Sequence, residues 1–475
     1  MDALQTIRSR MQELDTAPAL YWHGNEYDYA SLCEMIDRWK AHLGQIGVTP
    51  GTVCGILGDF SPGTCSLMFA LLEARAVLVP LTRAIEAEMP AFMEMAGVEH
   101  LFSFHEDDTW TVRSIENPSQ NALVRSFRAR GTPGLIVFTS GSTGRPKGIL
   151  HDVERVARKF VKPRAGWRTV LFLLMDHFGG FNTFLSTFAY GGVGVCAAKR
   201  TPDAVCQAIA EAGATLLPTT PSFLSLLIAS GSYRGCDLSS VQLITYGTEV
   251  MPETTLHKVR EIFPQAQVKQ TYGLSELGVL RSKSEHADSV WVKIGGDGFE
   301  VKIVDGLLWI RSEANMVGYL NADSPFDADG WMCTGDHVEV RGEYMRILGR
   351  KSDVINVGGQ KVFPVEVETV LLQAENVREV AVHGAPHPLL GQVVHARVAL
   401  EHPEDVILLR ERLRAFCMER LSKSKVPVRL TVVPESELLS QRFKRVRQQA
   451  TAETVVPDLA GAGGEQRVGA VATTG

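Results

Sequence analysis

An α/β fold is the class this sequence predicts, with a smaller α+β unit toward the C-terminus. The first half alternates short apolar runs with segments of helical periodicity, the pattern of parallel strands joined by helices. From about Gly295 the apolar runs are separated by Gly-containing turns instead. Length sets the number of units: 475 residues exceed one ordinary core, so two or three domains are expected.

The elements follow in order. "MDALQTIRSRMQELD" reads as a charged helix rather than a signal peptide. "YASLCEMIDRWKAHLGQIG" (29–47) sets Leu32, Met35, Ile36, Trp39 and Leu43 at helical spacing, and Gly47 closes it. "TVCGILG" is a short apolar strand, and "SLMFALLEARAVLVPL" is a helix running into another. "TVLFLLM", "GVGVCAA", "ATLLPTT" and "VQLITYG" read as buried strands. "FEVKIVDGLLWIRS" and "HVEVRGEYMRILGRKSDVINVGGQKVFP" read as strands joined by turns. Beyond Pro364 the order is helix, strand, strand, helix, strand. The Gly/Ala/Thr-rich end, 452–475, reads as a disordered tail.

Composition narrows the function. Hydrophobic residues make up 45% and charged residues 21%, which excludes disorder of the whole chain. The net charge of −6, with no basic block, argues against nucleic acid and polybasic membrane binding. Eight cysteines without a C-x-x-C pair or zinc spacing predict reduced, mostly buried thiols and a cytoplasmic location. Apolar runs such as Thr169–Met175 are too short for a membrane span.

The stretch "VFTSGSTGRPKGIL" (137–150) carries Gly, hydroxyls and a Lys, yet lacks the G-x-x-x-x-G-K-[ST] spacing of a P-loop. Its backbone N–H groups can still form an anion-binding concavity, with Lys147 as a point charge. The plainer reading is a flexible linker. Four companions weigh against it. "QTYGLSELG" (270–278) offers a stacking Tyr and a carboxylate, Glu276, for Mg²⁺. "WMCTGDHVEV" (331–340) sets Asp336 where it could accept both ribose hydroxyls. Arg350 precedes a Gly-containing hairpin, and "SQRFKRVR" (440–447) presents Lys444.

In this order the segments resemble the adenylate-forming superfamily: acyl-CoA synthetases, adenylation domains of non-ribosomal peptide synthetases, and beetle luciferase. The pattern is nearest to fatty or aryl acyl-CoA synthetases and covers about Tyr21 to Arg447. The resemblance implies a large domain, 1–350, of mixed α/β sheets with a small β-barrel-like part. A mobile α+β lid, 351–451, would follow, hinged near Ser352. It further implies that Thr139, Ser140, Gly141, Ser142, Thr143, Gly144 and Lys147 hold the ATP phosphates. Gly247, Thr248 and Glu249 would face one side of the adenine or its exocyclic amine with Tyr272 on the other, Thr271, Gly273 and Ser275 would also bind ATP, and Asp336 and Arg350 would hold the ribose. Glu276 would hold Mg²⁺, and Lys444 would be the mobile catalytic lysine. "DHFGGF" (176–181) looks like the F-H-x-x-G segment, so His177, Phe178, Gly180, Tyr246 and Gly273 would bound the acyl pocket. Asp176 is read as structural, and His151 likewise. Two positions depart from the pattern: Phe443 precedes Lys444 where Gly is usual, and Ser352 stands where many members carry Asp or Lys.

The implied reaction joins a small carboxylic acid to ATP, releasing pyrophosphate, and then passes the acyl group to a thiol. CoA is the expected acceptor, with Gly358 and Gly359 lining its pantetheine passage. A carrier-protein phosphopantetheine, an amine, or a small unusual acid are the alternatives, and a nucleotide-binding module without turnover is the remaining one. The pocket segments "DHFGGFNTF", "PTTPSFLSL" and "ITYGTEV" are apolar and carry no obvious cation, which favours a hydrophobic fatty or aryl acid. Gly179 and Gly180 are read as leaving room in that pocket.

Overall fold

The computed structural model describes residues 2–116, 118, 120–140, 146–286, 289–296 and 298–438. Four sheets organise them. The first has seven strands in the spatial order Gln267–Gln270, Leu243–Tyr246, Leu216–Thr219, Arg168–Val170, Val193–Cys196, Pro18–Trp22 and Asn25–Asp28. It is parallel up to its terminal hairpin. The second runs Gly318–Tyr319, Pro146–Asp152, Gly134–Ser140, Val77–Leu81, Val53–Leu57, His100–Phe104 and Trp110–Ser114. Its centre is parallel and its edges antiparallel.

Buried helices lie between these sheets. Helix Pro62–Glu73 is apolar on every side and buried almost throughout, as a helix between two layers must be. Ser61 and Thr64 close its N-terminus in a reciprocal capping box, which satisfies donors that no water reaches. Phe69 meets Phe184 of helix Phe178–Ala189 with ring centroids 4.8 Å apart, so one core couples the two sheets. Helix Tyr29–Gln45 forms where its periodicity predicts, capped by Asp28 accepting from Ser31 N at 2.8 Å. Leu32, Ile36, Trp39 and Leu43 are buried, and Met35 is half-buried.

The third sheet is antiparallel throughout, from Tyr272–Leu274 through Gly278–Ser284, Val292–Gly295, Tyr344–Arg350, Met332–Arg341 and Leu307–Ser312 to Phe299–Val304. It begins earlier in the chain than Gly295. The expected barrel-like part is this open sheet: among the described residues no pairing joins its two ends. The turn Lys351–Asp353 leads from it to the fourth, five-stranded sheet. There Val377–His387 and Gly391–Leu400 form a long hairpin packed on helices Pro364–Leu371 and Val406–Met418.

One predicted strand is much shorter than its apolar run. Of Thr169–Met175 only the start lies in a strand, Arg168–Val170. Beyond it the chain leaves the sheet, and His177 N bonds back to Leu174 O at 3.1 Å to open the next helix. All eight cysteines are unpaired, and Cys33, Cys54, Cys65, Cys196, Cys206 and Cys417 are buried, as expected. No helix among the described residues is long and apolar enough to cross a membrane. The 452–475 tail lies outside the described residues.

Candidate active site

The hairpin on which the phosphate loop was read is built by register. Strands Gly134–Ser140 and Pro146–Asp152 pair so that Thr139 faces Lys147 and Ser140 faces Pro146. Gly141, Ser142, Thr143 and Gly144, which the resemblance assigns to the phosphates, lie outside the described residues. A strap formed by 316–321 ties this hairpin to Glu276. Gly148 N donates to Asn321 Oδ1 at 3.1 Å, and Asn321 Nδ2 donates to Pro146 O at 2.8 Å. Met316 N donates to the Glu276 carbonyl at 2.9 Å. Tyr319 Oη donates to Glu276 Oε1 at 2.7 Å, while the Lys147 ammonium lies 4.7 Å from the Tyr319 ring centre. Burial, then the neighbouring carboxylate, raises the Tyr319 pKa, so this phenol stays protonated as donor.

The residues read as nucleoside ligands come from the first and third sheets. Thr271 N donates to Tyr246 O at 2.7 Å, and Thr271 Oγ1 donates to the same carbonyl at 3.0 Å. Thr248 has φ +72°, a left-handed conformation that a β-branched residue adopts only under constraint. Glu249 Oε2 accepts from Ser222 N at 3.2 Å and Ser222 Oγ at 2.5 Å. Tyr272 Oη donates to Asp336 Oδ2 at 2.5 Å. Asp336 faces Arg350 directly across an antiparallel pair, with Arg350 Nε 3.7 Å from Asp336 Oδ1. Burial raises the Asp336 pKa, and the Tyr272 hydrogen bond and then Arg350 oppose it. The first and third sheets thus meet where the base-side and ribose-side motifs were read.

The sequence profile of the AMP-binding enzymes matches residues 7–320, and that of the AMP-binding enzyme C-terminal domain matches 366–441. The chain belongs to the AMP-binding enzymes. It is 28% identical to indoleacetate–CoA ligase of Aromatoleum aromaticum, over 92% of this chain and 96% of that one. It is 25% identical to 2-succinylbenzoate–CoA ligase of Listeria monocytogenes, over 90% and 94%. The crystal structure of an anthranilate CoA ligase in complex with anthranoyl-AMP shares the fold, with a TM-score of 0.78 at 21% identity, covering 94% of this chain and 96% of that one. The two-unit adenylate-forming architecture inferred from the motifs is borne out.

Among the residues read as bounding the acyl pocket, His177 is the N-cap residue of helix Phe178–Ala189. Gly180 is dictated by close approach: a Cβ there would stand 2.0 Å from the Leu174 carbonyl oxygen. Its absent side chain therefore lets backbone segments touch and opens no space, which corrects the reading of Gly180 as room for substrate. At Gly179 a Cβ would make only ordinary contact with Leu173. Phe178 and Tyr246 are enclosed in the core. His151 is fully buried and packs on Phe178 at 4.5 Å between ring centroids, and burial holds its pKa down at about 3, so it is neutral. Asp176 is buried and accepts from Thr82 Oγ1 at 2.9 Å, a structural tie to the second sheet. Gly273 pairs with Val279, Gly247 abuts Thr271, and Ser275 is half-buried beside Glu276.

In the C-terminal part, Gly358 and Gly359 form the two-residue loop between Ile355–Val357 and Gln360–Val362, with φ +56° and +89°. A tight hairpin of this kind requires left-handed residues at both places. Ser352 sits in an exposed turn, its Oγ 2.9 Å from Asp353 Oδ1. Lys444 lies outside the described residues, as does its neighbour Phe443. Tyr319 and Asn321 were not singled out from sequence. "VGYLN" has no periodicity, and its role depends on strands distant in the chain.

Proposed function

We propose that this enzyme activates an aryl or otherwise hydrophobic carboxylic acid with ATP, forming an acyl-adenylate and pyrophosphate. It then transfers the acyl group to the thiol of CoA. The observation that carries this reading is the convergence of Lys147, Tyr319 and Glu276 on the phosphate-loop hairpin, in a chain of the AMP-binding family. The names of the relatives, ligases of indoleacetate and 2-succinylbenzoate to CoA, support the aryl acid and the thiol acceptor.

A carboxylate cannot expel oxide, so adenylation gives it a better leaving group. It is ionised at neutral pH, and no general base is required. The acid oxygen must instead be held in line with the α-phosphorus. Charge spreads onto the α-phosphate and departing pyrophosphate, where Lys147, the loop and Lys444 offset it. Glu276 suits Mg²⁺: a single carboxylate, oriented by Tyr319, matches an ion that takes one or two carboxylates and completes its shell with phosphate oxygens and water. When bound, the ion supplies electrostatic stabilisation of those oxygens. Tyr272 would stack on the adenine and Asp336 accept from the ribose hydroxyls, with Arg350 beside it. Between the two half-reactions we place a rotation of 351–451 about Ser352. That movement withdraws Lys444 and brings the Gly358–Gly359 hairpin to the pantetheine. Eight unpaired thiols suit a reducing compartment, and we place the reaction in the cytoplasm.

Nucleotide products measured by chromatography, with a panel of aryl acids and hydroxamate trapping, test the reading. AMP is expected. ADP would mean attack at the γ-phosphorus and would overturn it.

A further inference from the structure

A half-buried cation lies along the helix that starts at His177. Lys159 belongs to the turn Arg158–Phe160. Its Nζ donates to Asn182 Oδ1 at 2.5 Å and to the Val279 carbonyl at 3.2 Å. Both partners are neutral, and among the described residues no carboxylate comes within 4.0 Å of the ammonium. Phe160 adds an aromatic face at 4.9 Å. Loss of water, then repulsion from Arg281, pulls the Lys159 pKa down to about 7.

The partners of Lys159 belong to elements that carry residues read as site residues. Helix Phe178–Ala189 buries most of its residues but leaves Gly179, Asn182 and Ser186 half-buried. Three- and four-residue steps put these on one face. Val279 is half-buried too, and follows Glu276 by three residues. Asn182 is five residues beyond His177, about 7.5 Å along the helix axis at 1.5 Å per residue. Val279 lies in the strand that returns from the hairpin turn carrying Glu276. Lys159 is thus tied both to the helix that starts at His177 and to the strand that follows Glu276.

We propose that Lys159 receives a second carboxylate on the acid that this enzyme activates. A half-buried ammonium held only by neutral partners gains a stronger, charge-assisted hydrogen bond when a carboxylate joins it. Asn182 holds the ammonium through Oδ1, and its Nδ2 offers a further donor to the same incoming group. The substrate is then an aryl acid bearing a distal carboxylate. This rests on the acid activation proposed above and names the substrate class of that same site. The pocket segments singled out from sequence carry no cation because Lys159 comes from a different segment, brought in by the fold.

The test compares AMP formation from phenylacetate with its para-carboxy derivative, and from phenylpropanoate with its para-carboxy derivative. The wild-type enzyme should favour the para-carboxy member of at least one pair by about 10- to 100-fold in kcat/KM, the range of one charged hydrogen bond. Lys159→Met should erase that preference with the simple acid little changed, and Lys159→Arg should keep part of it. Asn182→Asp, which gives Lys159 an internal counter-ion, should also favour the simple acid, and it serves if the Met variant fails to fold. The proposal is overturned if the wild type favours no para-carboxy member, or if the variants lower both members of a pair equally. If the simple acids yield AMP but show no such pattern, this inference alone fails. If no acid in either set yields AMP, the functional reading beneath it fails as well.

Discussion

Glu276 and Asp336 each receive a tyrosine hydroxyl, yet the two pairs are built differently. Tyr272 and Asp336 are both buried, the Asp336 side chain being 9% exposed, and the pair closes on the rigid antiparallel partner Arg350. Tyr319 and Glu276 are half-buried on a two-residue strand and a loop, with Lys147 over the ring. The difference separates two demands. Under the proposed roles, a ribose presents the same hydroxyls throughout the reaction, so a buried acceptor suits it. The phosphates change charge and leave, so a carboxylate proposed to serve them is suited by staying accessible to ion and water.

The largest effect should come from the accessible side. Glu276→Gln keeps shape and loses charge, and AMP formation should fall about 10²–10³-fold in kcat, the usual cost of losing one electrostatic stabiliser. A loss confined to KM for ATP would show that Glu276 only binds. Asp336→Asn should give the opposite signature, KM for ATP rising about 10- to 100-fold with kcat less affected. Its pH dependence sharpens the contrast. Because burial raises the Asp336 pKa, the carboxylate protonates above the ordinary aspartate range. ATP binding should weaken as pH falls through that raised value, and the Asn variant should lack that limb of the profile.

The tyrosines should divide in the same way. Tyr319→Phe should lower kcat about tenfold and raise the Mg²⁺ concentration needed for half-maximal rate, with little change in melting temperature. Tyr272→Phe should instead cost stability, about 1–3 kcal/mol, because Asp336 is left buried without its donor. Denaturant titration of both variants checks this, and equal stability losses would erase the distinction between the pairs. The smallest expected change is Gly359→Asn. Asn tolerates a left-handed φ, so the hairpin should stay folded while its new side chain obstructs the thiol. Bound acyl-adenylate should then accumulate, whereas Gly359→Leu should lower the melting temperature as well.

Motif order in the sequence was enough to name the superfamily, because the motifs that carry the resemblance are short contiguous stretches. Periodicity placed helix Tyr29–Gln45 and most core strands for the same reason: they are local. Tertiary structure decided what depends on distant segments meeting. It ended the strand at Val170, since the following residues are taken by the entry to the next helix. It turned Gly180 from open space into a backbone contact, because a missing Cβ looks the same in sequence whatever occupies its place. It brought Tyr319 to Glu276 across 43 residues, and Lys159 to Val279 across 120. Such pairs leave no periodic trace, because their energy comes from desolvation and charge at a point that only the folded chain creates.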